Sequence, residues 1–247
     1  MRAAPERPAF YALGRGRASE LLTLLHPPYT AWHLSYVAIG AALVHPIRLE
    51  RLGWTLLGFF LGLGIGAHAL DERHGHPLRT GIGDGALTVV AALSIVGASV
   101  DGWLVGGVRL LPFIGVGAVL VVAYNLEWFG GVVHNGVGFA LSWGAFPVLT
   151  GYYAQRWSIS LAAVVVALGA AGLSWAQRTL STPARWLRRT VTDATLTATD
   201  ADGAPVLLTS AEVRQPLELA LRTISWSLVL VAIGLVAAAY ANGHTAG

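Results

Sequence analysis

Residues 52–71 read LGWTLLGFFLGLGIGAHALD, an apolar run with no charge until its last residue. Twenty residues of helix rise about 30 Å, the thickness of a bilayer's hydrocarbon core. The run then stops abruptly. His68, Asp71, Glu72, Arg73, His74, His76 and Arg79 place seven ionisable groups in twelve residues. Charges at a membrane boundary are costly to place, so such a cluster marks a candidate functional site.

Working outward, the remaining chain repeats the pattern. It has 247 residues, 55% of them hydrophobic and 12% charged, with mean hydropathy +0.61. A soluble domain carries about twice that charged fraction. The expected fold is an all-α polytopic membrane bundle of about seven spans: 29–45, 52–71, 84–100, 104–126, 130–153, 157–176 and 217–241. Ser19 to His26 reads as a short interfacial helix stopped by Pro27-Pro28. Residues 1–18 read as a loose basic segment ahead of a single domain over 19–247, and they lack the apolar core of a cleavable signal peptide. Gly58, Gly62 and Gly66, four apart, predict close helix packing rather than a nucleotide loop.

Several chemistries are excluded. Cysteine is absent, so there are no disulfides, Fe–S clusters or thiolate zinc sites. Lysine is absent as well, which removes retinal and pyridoxal Schiff bases. No H-E-x-x-H, G-x-S-x-G or Walker pattern occurs.

Orientation follows from arginine placement. With the N-terminus inside, Arg2, Arg7, Arg15, Arg17, Arg73, Arg79, Arg178, Arg185, Arg188, Arg189, Arg214 and Arg222 are cytoplasmic. Arg48, Arg51, Arg109 and Arg156 are outside. This bias predicts a multi-pass inner or plasma membrane protein with a cytoplasmic N-terminus, and it explains the net charge of +3 without nucleic acid. The long polar insertion 177–216 is expected to begin with a basic amphipathic helix on the inner leaflet, with Trp186 at headgroup level. A β-hairpin over 194–209 turning at Asp202-Gly203 should follow, and then a capping box, Thr209 to Glu212.

Three cytoplasmic segments carry the polar side chains. In the first, His68 and Asp71 share a helix face, with Glu72 beside them and His76 and Arg79 in the following turn. Two neighbouring carboxylates suit a divalent cation such as Mg²⁺ bridging to phosphate, and an arginine suits the phosphate oxygens. In the second, Glu127 precedes His134 and Asn135. The third supplies Arg178 and Arg185. Tyr152, Tyr153 and Trp157 read as an interfacial belt.

The order of these features resembles the UbiA superfamily of intramembrane prenyltransferases. His68-x-x-Asp71-Glu72, then His76-Pro77-Leu78-Arg79-Thr80, looks like a shortened form of that family's first aspartate motif. His26-Pro27 resembles its entry to helix one, and Tyr124 through Tyr153 its Tyr-turn and glycine-rich helix. The position of the family's second acidic motif reads AQRTLSTPAR over 176–185, without an acid. The resemblance implies a bundle with a central cavity, an isoprenyl diphosphate held through Mg²⁺ on Asp71 and Glu72, and transfer of the prenyl chain to an acceptor. On this reading Asp71, Glu72 and Glu127 are the catalytic candidates. His68, His76, Arg79, His134, Asn135, Arg178 and Arg185 are the substrate-binding candidates. The alternative is a non-catalytic relative that binds a lipid or pigment, or serves as a subunit of a membrane complex. A small transporter is a third reading, weakened by the lack of an internal repeat.

Overall fold

The structure, a computed structural model, describes residues 7–14, 16–191 and 195–244. Arg2, Arg15 and Ala194, used in the readings above, lie outside the described residues. The described chain is mostly helical. In order it forms α1 (Arg17–Leu24), α2 (Pro27–Ala42), α3 (Leu49–Arg73), α4 (Asp84–Gly106), α5 (Leu111–Asn125), α6 (136–156) and α7 (Leu161–Arg189). Strands β1 (Thr195–Thr199) and β2 (Pro205–Thr209) and the helix α8 (Ser210–His244) complete it. Among the described residues four helical stretches are long and apolar enough to cross a bilayer: Leu49–Arg73, Asp84–Arg109, Leu161–Arg189 and Ser210–Gly243. Leu111–Asn125 is apolar but shorter.

Small residues set how closely these helices approach. A Cβ on Gly40 of α2 would lie 2.1 Å from the Val148 carbonyl oxygen of α6. A Cβ on Gly151 of α6 would lie equally close to the Val37 carbonyl oxygen of α2, at 2.1 Å. The two backbones therefore touch, as small-residue faces allow. The glycine stripe of α3 packs as its spacing predicts, with Gly58 against Asp101, Gly62 against Ala98 and Gly66 against Ile95 of α4. At the bundle centre Trp32, Tyr36, Val148, Ala167, Ala170 and Leu228 form a buried cluster. Its polar atoms are satisfied internally, Trp32 Nε1 donating to Tyr36 Oη at 2.6 Å.

Two helices widen into π-helical turns, α3 over Phe60–Ala67 and α6 over Leu141–Ala145. Such turns expose carbonyls and often mark functional sites. Here His68 Nδ1 pairs with the Gly64 carbonyl at 3.0 Å and His33 Nδ1 with the Trp143 carbonyl at 2.8 Å.

Three placements differ from the sequence expectation. The span expected over 84–100 continues to Gly106, with Asp101 buried inside α4. The basic stretch 178–189 is not a separate surface helix. α7 runs unbroken through Pro183, because Ser181, Ala184 and Leu187 are buried and Arg188 is tied to Glu218 of α8 at 2.6 Å. Tyr152 belongs to the core beside Val44 and Ala163 rather than to a belt. The hairpin forms in the expected place, with Thr195 opposite Thr209 and Gly203 at φ 83° in its turn. The capping box forms too, Glu212 Oε2 accepting from Thr209 N at 2.7 Å.

The loops sort into two ends. One is stitched by Arg51 Nη1 donating to the Ala154 carbonyl at 3.0 Å and by the Arg51 and Arg109 guanidiniums over Trp157. At the other, the start of α2 and the ends of α3 and α5 meet the start of α6 and the last turns of α7. Residues 7–14, read from the sequence as loose, pack at this second end. Arg188, Arg189 and Arg222 donate to the carbonyls of Arg7, Pro8 and Phe10 at 3.4, 3.0 and 3.3 Å.

Candidate functional site

The second end encloses a cavity of about 1000 Å³, including its mouth. The neighbours Asp71 and Glu72 have opposite fates there. Asp71 lines the cavity, and no hydrogen bond or ion pair joins it to another described residue. Glu72 is 0% exposed and faces the following turn. Its Oε2 accepts from Leu78 N at 2.8 Å, and its Oε1 accepts from both Thr80 N and Thr80 Oγ1 at 2.8 Å. Successive helix positions are about 100° apart, so one of two adjacent acids faces away from any given cavity. Glu72 holds the 74–80 turn in shape, where His76 and Arg79 adopt left-handed backbone at φ 50° and 56°.

The expected Mg²⁺ pair therefore does not present two carboxylates to one ion. Among the described residues no group of three or more His, Asp or Glu side chains is placed to hold a metal. The cavity instead carries cations. Arg178, Arg185 and Arg189 all line it from α7. Arg178 donates to Tyr124 Oη and lies 5.6 Å from the centre of the Phe139 ring. Arg189 Nε donates to the Pro8 carbonyl at 3.0 Å. Arg185 has no hydrogen bond or ion pair to another described residue.

Four histidines complete the lining: His26, His33, His68 and His134. Backbone carbonyls only accept, so His33, His68 and His134 each carry a proton on Nδ1, toward Trp143, Gly64 and Tyr124 respectively. This leaves each Nε2 as an acceptor in the neutral ring. His26 stacks on His68 with ring centres 4.1 Å apart, and its Nδ1 meets Tyr11 Oη at 3.0 Å. His26 Nε2 and Gln177 Oε1 are buried without a partner in the described residues. Burial, reinforced by His68, Arg189 and Arg185, holds the His26 ring well below the usual imidazole pKa.

Five of the ten expected site residues do not line this cavity. Glu72 is spent on its turn. Glu127 is 48% exposed and only 4.0 Å from His134 Nδ1. Asn135 caps α6, its Oδ1 accepting from Gly138 N at 2.9 Å. Arg79 is exposed and donates to the Arg189 carbonyl at 3.3 Å. His76 is exposed and bonded to Asp84 at 2.8 Å, which raises its pKa. His68, Asp71, His134, Arg178 and Arg185 do meet in one cavity.

Compared with family models, curated proteins and solved structures, the chain matches none. The likeness to UbiA enzymes thus rests on the quoted residues alone.

Sequence reasoning missed His26, Tyr29, His33, Asn125, Gln177, Ser181 and Arg189. A signal for most of them existed. His26, Tyr29 and His33 stand at i, i+3 and i+7, and Gln177, Ser181, Arg185 and Arg189 at i, i+4, i+8 and i+12. The second set lies on one side of α7, and Tyr29 and His33 are one turn apart on α2, with His26 just ahead of it.

Proposed function

We infer that this chain is a multi-pass membrane protein whose cationic cavity holds the anionic head group of a lipid, phosphate or diphosphate being the best fit. The observation that carries this reading is three arginines and one carboxylate lining a single cavity, in which His26 Nε2 and Gln177 Oε1 have no partner among the described residues. Arginine forks suit phosphate oxygens, and in a partly dry site each such contact is stronger than in water. Phe139, Trp143, Leu63 and Ala67 on the same lining suit the start of an apolar chain. An isoprenoid phosphate is one such lipid.

In this reading the seven longer helices all cross the membrane, and the cavity opens to the cytoplasm. Arg73, Arg79, Arg178, Arg185, Arg188, Arg189, Arg214 and Arg222 fall at the cavity end, against Arg48, Arg51, Arg109 and Arg156 at the other. That asymmetry supports this orientation.

Prenyl transfer is the second reading, favoured by Asp71 standing unpaired in the same cavity. Arg178 and Arg185 would then bear the charge of the departing diphosphate. A partner subunit stays an open role for the exposed hairpin. The test is binding of geranylgeranyl diphosphate to purified protein, with EDTA and with added Mg²⁺. Saturable binding in EDTA, weakened at least tenfold in Arg185→Ala and retained in Asp71→Asn, is expected. Binding that needs Mg²⁺ and disappears with Asp71→Asn would replace head-group capture with the metal-dependent enzyme.

A further inference from the structure

A second, half-open cavity, of about 780 Å³ including its mouth, lies between α3, α4, α5 and α6. Its walls are almost wholly apolar, with Phe59, Phe113 and Phe146 prominent. Leu63 and Trp143 line both cavities. One charged side chain enters the second, Asp101 of α4, at 8% exposure. It stands 17 residues beyond Asp84, on the order of 25 Å along the helix.

Asp101 has no hydrogen bond or ion pair with any described residue. Three hydroxyls share the cavity, but each donates to its own helix. Thr55 Oγ1 donates to the Arg51 carbonyl at 2.7 Å, Ser99 Oγ to Ile95 at 2.8 Å, and Thr150 Oγ1 to Phe146 at 2.8 Å. No protein donor is left for the carboxyl. Room for it is kept by Gly58, where a Cβ would lie 2.6 Å from Asp101 Oδ2. A buried carboxyl without a partner is costly, and within a bilayer such groups mark ligand or ion pathways.

We propose that this cavity is a second ligand site, independent of the anion cavity, for an amphiphile with a long hydrocarbon part and a hydrogen-bond donor at its end. The hydrocarbon lies among Phe59, Phe113 and Phe146. The donor, a hydroxyl or a protonated amine, is held by the Asp101 carboxyl. Both sources present the same N–H or O–H, and the ligand takes the place of the missing protein partner. An anionic amphiphile is rejected here, because a second carboxylate would face Asp101 with no cation between them.

The test uses purified protein in detergent and four probes of one chain length: dodecylamine, 1-dodecanol, dodecane and dodecanoate. Native mass spectrometry counts the bound probe. The amine and the alcohol are expected to bind one per chain, at least tenfold tighter than dodecane and dodecanoate. The amine leading identifies a cationic ligand, and the alcohol leading a hydroxylated one. Asp101→Asn should cut amine binding at least tenfold and leave dodecane unchanged. Asp101→Leu should abolish the preference for donors and raise the Tm of the ligand-free protein, whereas a carboxyl with a structural role would lower it. Dodecane matching the amine, or a donor preference that survives both substitutions, would overturn the assignment.

Discussion

At the arginine-bearing end of the bundle a cavity is lined by Arg178, Arg185, Arg189, Asp71 and four histidines. Across the wall formed by Leu63 and Trp143 lies another, lined by three phenylalanines and a single acid, Asp101. The difference follows position along the helices. Groups at helix ends meet backbone, water and one another, so several charges can gather there. Farther along the apolar helices each polar group must be satisfied from within, and the three hydroxyls there are, by the i−4 carbonyl. What is left unsatisfied there stands out as a single atom group. At the ends it appears as an excess of one sign of charge.

The largest effect that would break this contrast is removal of the shared wall. Trp143 is 7% exposed, and Trp143→Ala should cost about 3–5 kcal/mol of stability. Its Tm in detergent should fall sharply, and the folded variant should lose the donor preference of the apolar cavity together with phosphate affinity in the cationic one. Unchanged binding of both probes would show that the two cavities do not depend on this wall.

A smaller change should affect one cavity alone. Glu72→Gln leaves an amide NH₂ facing backbone donors of the 76–80 turn and should cost about 2 kcal/mol. Dodecyl phosphate binding should weaken several-fold as the turn beside Asp71 loosens, while dodecylamine binding is unaffected. Asp71→Asn, its neighbour, should leave stability within about 0.5 kcal/mol of the parent, because Asp71 has no hydrogen bond or ion pair to a described residue to lose. Equal losses of stability in the two variants would refute the assignment of Glu72 to the turn and Asp71 to the cavity.

The smallest effect is one of pH. The pKa of His26 in the fold lies below its unfolded value of about 6.5, so its contribution to stability is present above that pH and lost as pH falls below it. A bound anion favours the charged ring. The affinity of the parent for dodecyl phosphate, relative to that of His26→Gln, should therefore rise as pH falls, a comparison that cancels the ligand's own ionisation, while stability without ligand declines below about pH 6.5. Dodecane binding should show neither trend. The same pH trend in the parent and in His26→Gln would remove His26 from the anion site.

The sequence alone determined the helical architecture with stretches long and apolar enough to cross a bilayer, the hairpin at Asp202-Gly203, the Thr209–Glu212 cap and the glycine faces of α3. Each of these is written in local spacing, and local spacing is what a helix or a turn reads. It also placed His68, Asp71, His134, Arg178 and Arg185 in segments that meet. Only the tertiary structure decided which of two adjacent acids faces the cavity, since a rotation of about 100° per residue separates them and the packing partner fixes the phase. It likewise decided that 178–189 continues α7 as a cavity wall, and that Asp101 lies inside a helix rather than at its end. Those outcomes depend on which neighbours arrive to bury a side chain, and no single segment carries that information.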